Sequence, residues 1–186
     1  MKKLLTICAL VAGVLTSIGA FAQTTPQTPA QAPKILVAYY SYSGNTKDVA
    51  EAMHRKVGGD IFEIKAEGTY PDSYRPMTEQ AKQEIASGYR PRLLTSIDNI
   101  AQYDIVFIGS PDWWGTITPQ VSSFLDAYDM SGKRVIPFIT AGSGAAQRTI
   151  SDMTKQCKDC DVEQNGWVGY GNNMQGLDAW IEQVLK

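Results

Sequence analysis

From Ile35 to Tyr40 the chain is unbroken apolar sequence, and it passes straight into the turn Ser41-Tyr42-Ser43-Gly44-Asn45-Thr46. So continuous a run is typical of a strand covered on both faces, and it predicts a strand over Lys34–Tyr40. A helix is expected at once after the turn, with Val49, Met53 and Val57 on one side at i, i+4 and i+8. The first turn of a helix leaves N–H groups without intrahelical partners and carries partial positive charge. A strand, a small polar turn and a helix start therefore make an anion site. Ser41, Ser43 and Thr46 add hydroxyl donors, and Asn45 adds an amide. Gly44 lets the backbone approach closely and adopt a positive φ. No Lys or Arg lies within the turn, which suits a phosphate monoester held by neutral donors.

Similar units follow. Gly58-Gly59 ends the first helix, and Asp60–Lys65 alternates as an edge strand would. Glu67–Met77 reads as a loop rich in Pro and Tyr, Thr78 as the cap of a polar helix running to Gly88, and Tyr89–Gln102 as loop. Tyr103–Ser110 predicts the central strand. It feeds Pro111-Asp112-Trp113-Trp114-Gly115 and a helix with Pro119 in its first turn. Arg134–Thr140 predicts the fourth strand, followed by Ala141-Gly142-Ser143-Gly144-Ala145 and a helix over Gln147–Gln156. A fifth strand is expected within Asp161–Gly169 and a last helix within Asn173–Lys186. Strands alternating with helices point to an α/β fold, a doubly wound five-stranded parallel sheet with helices on both faces. Ligands of such folds sit beyond the C-terminal ends of the strands. The loops 41–46, 111–119 and 140–145 all follow strand C-termini.

Ser41-Tyr42-Ser43-Gly44-Asn45-Thr46 resembles the phosphate-binding loop of flavodoxins, a hydroxyl-x-hydroxyl-Gly-Asn-Thr pattern after the first strand. Gly109-Ser110-Pro111-Asp112-Trp113-Trp114-Gly115, with Pro119 beyond it, resembles the second loop of flavodoxin-like proteins. The resemblance covers Lys34–Lys186. It implies strand order 2-1-3-4-5 and bound FMN. Ser41, Tyr42, Ser43, Gly44, Asn45 and Thr46 would hold the phosphate. Pro111, Asp112, Trp113, Trp114 and Gly115 would lie along the flavin, with one of the two indoles stacked on the ring. Ala141, Gly142, Ser143 and Gly144 would face its pyrimidine edge. Many flavodoxins place a Tyr in the third loop; this chain has none there, which implies either a more open ring or a different cover, with Tyr170 and Tyr74 as candidates.

With 186 residues, 44% of them hydrophobic, the chain can build one domain with a good core. Met1–Ala22 has a basic start, an apolar stretch and an Ala20-Phe21-Ala22 cleavage pattern, which reads as a secretory signal. Residues 23–33 read as a Pro/Gln/Thr linker, and 34–186 as the flavodoxin-like domain. Removing Lys2 and Lys3 lowers the 17 basic residues by two, to 15, against 19 acidic ones. The resulting −4 gives no support for nucleic-acid binding. His54 is the only histidine, so no multi-histidine metal site can form. Cys157 and Cys160 are expected to pair as a disulfide in an exported protein. A redox-active pair normally opens a helix; this one closes one, beside Asp159 and Asp161, which favours a structural bridge.

The function expected is electron transfer by an FMN-binding protein of the periplasm. It would serve redox partner proteins or small acceptors, without stable membrane insertion after cleavage. Two rivals stand beside it: an FMN-dependent reductase of quinones or other small acceptors, and a flavin-free module that binds another anion or a protein.

Overall fold

Burial of strands on both faces organises the chain in the computed structural model, which describes residues 32–142 and 146–186. The expected signal, most of the linker, and Ser143 and Gly144 of the third loop lie outside the described residues. In Ala32–Lys186 the strands are β1 (Ile35–Tyr39), β2 (Asp60–Glu63), β3 (Ile105–Pro111), β4 (Arg134–Ala141), β5 (Asp161–Val162) and β6 (Trp167–Tyr170). The helices are α1 (Asn45–Val57), α2 (Tyr74–Ser87), α3 (Pro119–Ala127), α4 (Gln147–Gln156) and α5 (Leu177–Val184). All strand pairings are parallel and the order is β2-β1-β3-β4-β5, as expected.

Alternate residues of each strand enter opposite cores, as the pleat requires. Val37, Phe107, Ile136 and Phe138 pack with Val49 and Met53 of α1 and Ile181 of α5. Leu36, Val106, Ile108 and Ile139 pack with Val121 and Phe124 of α3 and Ile150 and Met153 of α4. Helices thus cover both faces, and β3 and β4 are buried along almost their whole length and mostly apolar, because neither has a wet side.

The expected fifth strand is two short strands on one edge. β5 pairs with Arg134 and Val135, and β6 pairs with Phe138–Ala141. The interruption has a local cause in β4. The Val135 and Ala141 carbonyls face this edge and accept from Glu163 (2.9 Å) and Gly171 (3.1 Å). Pro137 points to the same side and has no N–H to offer. The ladder stops opposite it. The backbone at Gly166 comes so close that a Cβ there would lie 2.8 Å from the Pro137 oxygen.

One helix boundary differs from expectation. α2 begins at Tyr74, not at Thr78, because Pro76 fits a first turn where a missing N–H forfeits no bond. The Thr78 hydroxyl donates to the Arg75 carbonyl (2.9 Å) within the helix. α5 falls within the expected Asn173–Lys186, with a left-handed Gly176 before Leu177. Cys157 and Cys160 form a disulfide after α4. Among the described residues no helix is long and apolar enough to cross a membrane.

Gly109 is where the central strand is tightest. A Cβ there would collide with the Phe138 ring and approach the Tyr39 Cβ at 2.9 Å. Gly109→Ala is expected to destabilise the fold by about 1–3 kcal/mol, the usual penalty of overpacking, read as a lower urea midpoint at unchanged slope.

Stability should also fall at alkaline pH. Burial, reinforced by Glu63, pushes the Tyr39 hydroxyl up to about 12. Burial and the 2.7 Å bond to Asp60 push Tyr103 up to about 12 as well. The unfolded value is about 10. The folded state therefore binds these protons more tightly, and the contribution is complete below about pH 10. It is lost as pH rises through the window from about 10 to about 12. Tyrosinate absorbance and circular dichroism should change together in that window; normal ionisation of all tyrosines in a folded chain would contradict this.

Candidate functional site

Because β1, β3 and β4 run parallel and in register, their C-terminal loops meet at one edge. A cavity of about 590 Å³ lies there. The first loop contributes Tyr42, Ser43, Asn45 and Thr46 to its wall. Gly44 adopts φ +93° immediately before α1, and the Ser41 hydroxyl accepts from its N–H (3.1 Å), which closes the turn. Asn45, Thr46 and Lys47 open α1, so their amides belong to the first turn, which has no intrahelical acceptors.

The second loop is a two-residue turn. Trp113 and Thr116 exchange both backbone hydrogen bonds (3.1 and 3.2 Å), with Trp114 at φ +57° and Gly115 at +75°. Positive φ at both central positions is the pattern that favours Asn-Gly. A tryptophan in the first of them costs about 1–2 kcal/mol of backbone strain.

The two indoles sit in different surroundings. Trp113 is half-buried and touches Tyr40, Tyr42 and Tyr70 edge to face, with ring centroids 5.9, 6.0 and 5.0 Å away. Trp114 is 49% exposed. Its Nε1–H donates to the Thr78 carbonyl (2.9 Å), and Lys82 Nζ lies 4.8 Å from its ring centroid. Both rings line the cavity, as do Pro111, Asp112 and Gly115. The Asp112 carboxylate accepts from the Thr149 hydroxyl in the first turn of α4, and its N–H donates to the Thr140 carbonyl (2.8 Å).

From the third loop, Ala141 and Gly142 line the cavity together with Thr140. Tyr74 is also on the wall and is 77% exposed, whereas near β6 it is Gly171, and not the adjoining Tyr170, that reaches it.

The site includes residues that local patterns did not indicate. Met77, Thr78 and Ala81 of α2 form part of the wall, although Glu67–Met77 reads as plain loop in the sequence. The Tyr42 hydroxyl donates to the Pro71 carbonyl (2.7 Å), joining the first loop to that segment. The Tyr70 hydroxyl donates to Glu84 and accepts from Gln120 Nε2 (3.0 Å). Burial is the main reason that the Tyr40 and Tyr70 hydroxyls hold their protons well above the usual tyrosine range. These rings are a neutral framework for Trp113. The Pro and Tyr content of 67–77 was a signal of a packed loop, but nothing local told which neighbour it met. Among the described residues no three His, Cys, Asp or Glu side chains gather as a metal site.

Comparison with known proteins agrees with this architecture. A family model described as flavodoxin matches residues 34–184. A crystallised candidate flavoprotein from Bacteroides eggerthii superposes with a TM-score of 0.71 at 27% identity, over 83% of this chain and 99% of that one. A flavoprotein from Lactobacillus acidophilus, crystallised in complex with FMN, gives 0.65 at 26% identity, over 81% and 99%. A protein of Chromohalobacter salexigens named NAD(P)H dehydrogenase (quinone) is 31% identical over 99 residues, which is 50% of this chain and 46% of that protein. The chain spans about half the length of the curated relatives it matches.

Proposed function

Because this chain belongs to the flavodoxin family, we propose that the cavity holds FMN and that the protein carries electrons between redox partners of the cell envelope. One observation carries the reading: the cavity lining is made of two chemically different sets of residues. In one, Ser43, Asn45, Thr46 and the start of α1 offer neutral donors, and no Lys or Arg is among the described lining residues. That suits a phosphate monoester. In the other, Trp113, Trp114 and Met77 offer apolar and aromatic surface, which suits a flat ring. A volume of about 590 Å³ is of the size that holds a cofactor of this kind. The complex of the Lactobacillus acidophilus flavoprotein with FMN supports the same choice.

When bound, the flavin supplies reversible electron transfer. The chain's residues bind and shield it. Trp114 is the indole assigned to stacking, since it lines the cavity and is 49% exposed while three tyrosines pack edge to face with Trp113. The carboxylate of Asp112 places negative charge on the wall and so disfavours added electrons on a ring held there. That Ser143 and Gly144 face the pyrimidine edge remains part of this proposal on the sequence pattern alone. Export rests on the signal-like Met1–Ala22, and the Cys157–Cys160 disulfide supports an oxidising compartment. The relatives named NAD(P)H dehydrogenase (quinone) favour a second reading, reduction of a small quinone acceptor.

Purified protein incubated with FMN and then desalted is expected to keep flavin absorption bands; a colourless product would overturn both readings. Trp114→Ala should weaken FMN binding by about tenfold, the loss of one stacked aromatic contact and its buried area. Trp113→Ala should instead lower the unfolding midpoint. Equal flavin affinity in wild type and Trp114→Ala would remove Trp114 from the ring-binding role. Reduction of the bound flavin by NADPH would favour the quinone-reductase reading over the carrier.

A further inference from the structure

Thr140 is the penultimate residue of β4, at the point where the three loops meet. Its carbonyl accepts from the Asp112 N–H of the second loop (2.8 Å). Its Oγ1 lies 2.7 Å from Oγ1 of Thr46, in the first turn of α1. Thr46 is 1% exposed and Thr140 6%, and both line the cavity. A hydroxyl has one proton, so only one partner of this pair donates to the other. The acceptor of the pair keeps its own proton for a third group.

We infer that Thr140 donates to Thr46 and thereby directs the single Thr46 proton into the anion-binding part of the cavity. Thr140 is then a positioning residue for the phosphate group, an inference that rests on the flavin reading. The alternative arrangement spends the Thr46 proton on Thr140 and leaves a lone pair at the place where an anion must bind. With a phosphate present, donation from Thr46 is charge-assisted, and such a bond is roughly twice as strong as a neutral one. The chain Thr140 to Thr46 to phosphate also polarises in one direction, so each bond strengthens the next. The position of Thr140 on a strand that is buried on both faces holds this geometry before any ligand arrives.

Fluorescence titration of purified wild type, Thr140→Val and Thr140→Ser with FMN and with riboflavin tests this. Valine keeps the shape and the backbone carbonyl but removes the donor. Thr140→Val should weaken FMN binding by about tenfold, as expected when a bond to a charged group loses its orientation. Riboflavin has no phosphate, and its affinity should be nearly unchanged. Thr140→Ser should recover FMN binding. Equal weakening of both flavins, no change in FMN affinity, or failure of the serine variant to recover would overturn the role of Thr140 alone. Wild-type protein that ignores FMN would overturn the flavin reading and this inference with it.

Discussion

The parallel ladder of β1, β3 and β4 is the constraint on which the site depends. Tyr39 is in register with Gly109, and Gly109 with Phe138, so the C-terminal ends of the three strands lie on the same edge of the sheet. Their loops meet only because of that alignment. A slip of one residue in any of them would turn every side chain to the other face and break both cores. The missing side chain at Gly109 is what lets the Phe138 ring and Tyr39 close over the central strand. Core packing therefore sets the site geometry before any loop residue acts.

The loops are then fastened to one another by a few long-range polar contacts. Tyr42 reaches Pro71, Trp114 reaches Thr78, and Thr140 reaches both Asp112 and Thr46. Each joins segments far apart in the chain, and each ends on a cavity wall or the segment behind it. Loops held in this way need less ordering when a ligand binds, which spares affinity that flexible loops would lose.

The sequence made the fold and three of the walls readable for a physical reason. Apolar runs, glycines and hydroxyl-rich turns act locally, so their consequences can be read in place. Ser41–Thr46 and Pro111–Gly115 are of this kind. The contribution of α2 was hidden because it arises from contacts across tens of residues, such as Tyr42 with Pro71. α2 starts earlier than the sequence suggests, because Pro76 reads as a breaker until its place in a first turn is known. The split edge strand had a visible cause in Pro137, but its effect depends on which side of β4 that residue faces. The choice between Trp113 and Trp114 was open for the same reason: adjacent residues differ only through the turn that separates their directions.

That turn carries a further consequence. Trp114 occupies a backbone conformation better suited to asparagine, while its ring walls the cavity and rests on α2. Local comfort and ligand shape therefore pull the same position in opposite directions. A screen that rewards thermostability alone would drift toward replacing this tryptophan, and it would flatten the cavity wall as it did so. At this position the chain sits away from its stability optimum because it keeps a ring at the cavity mouth.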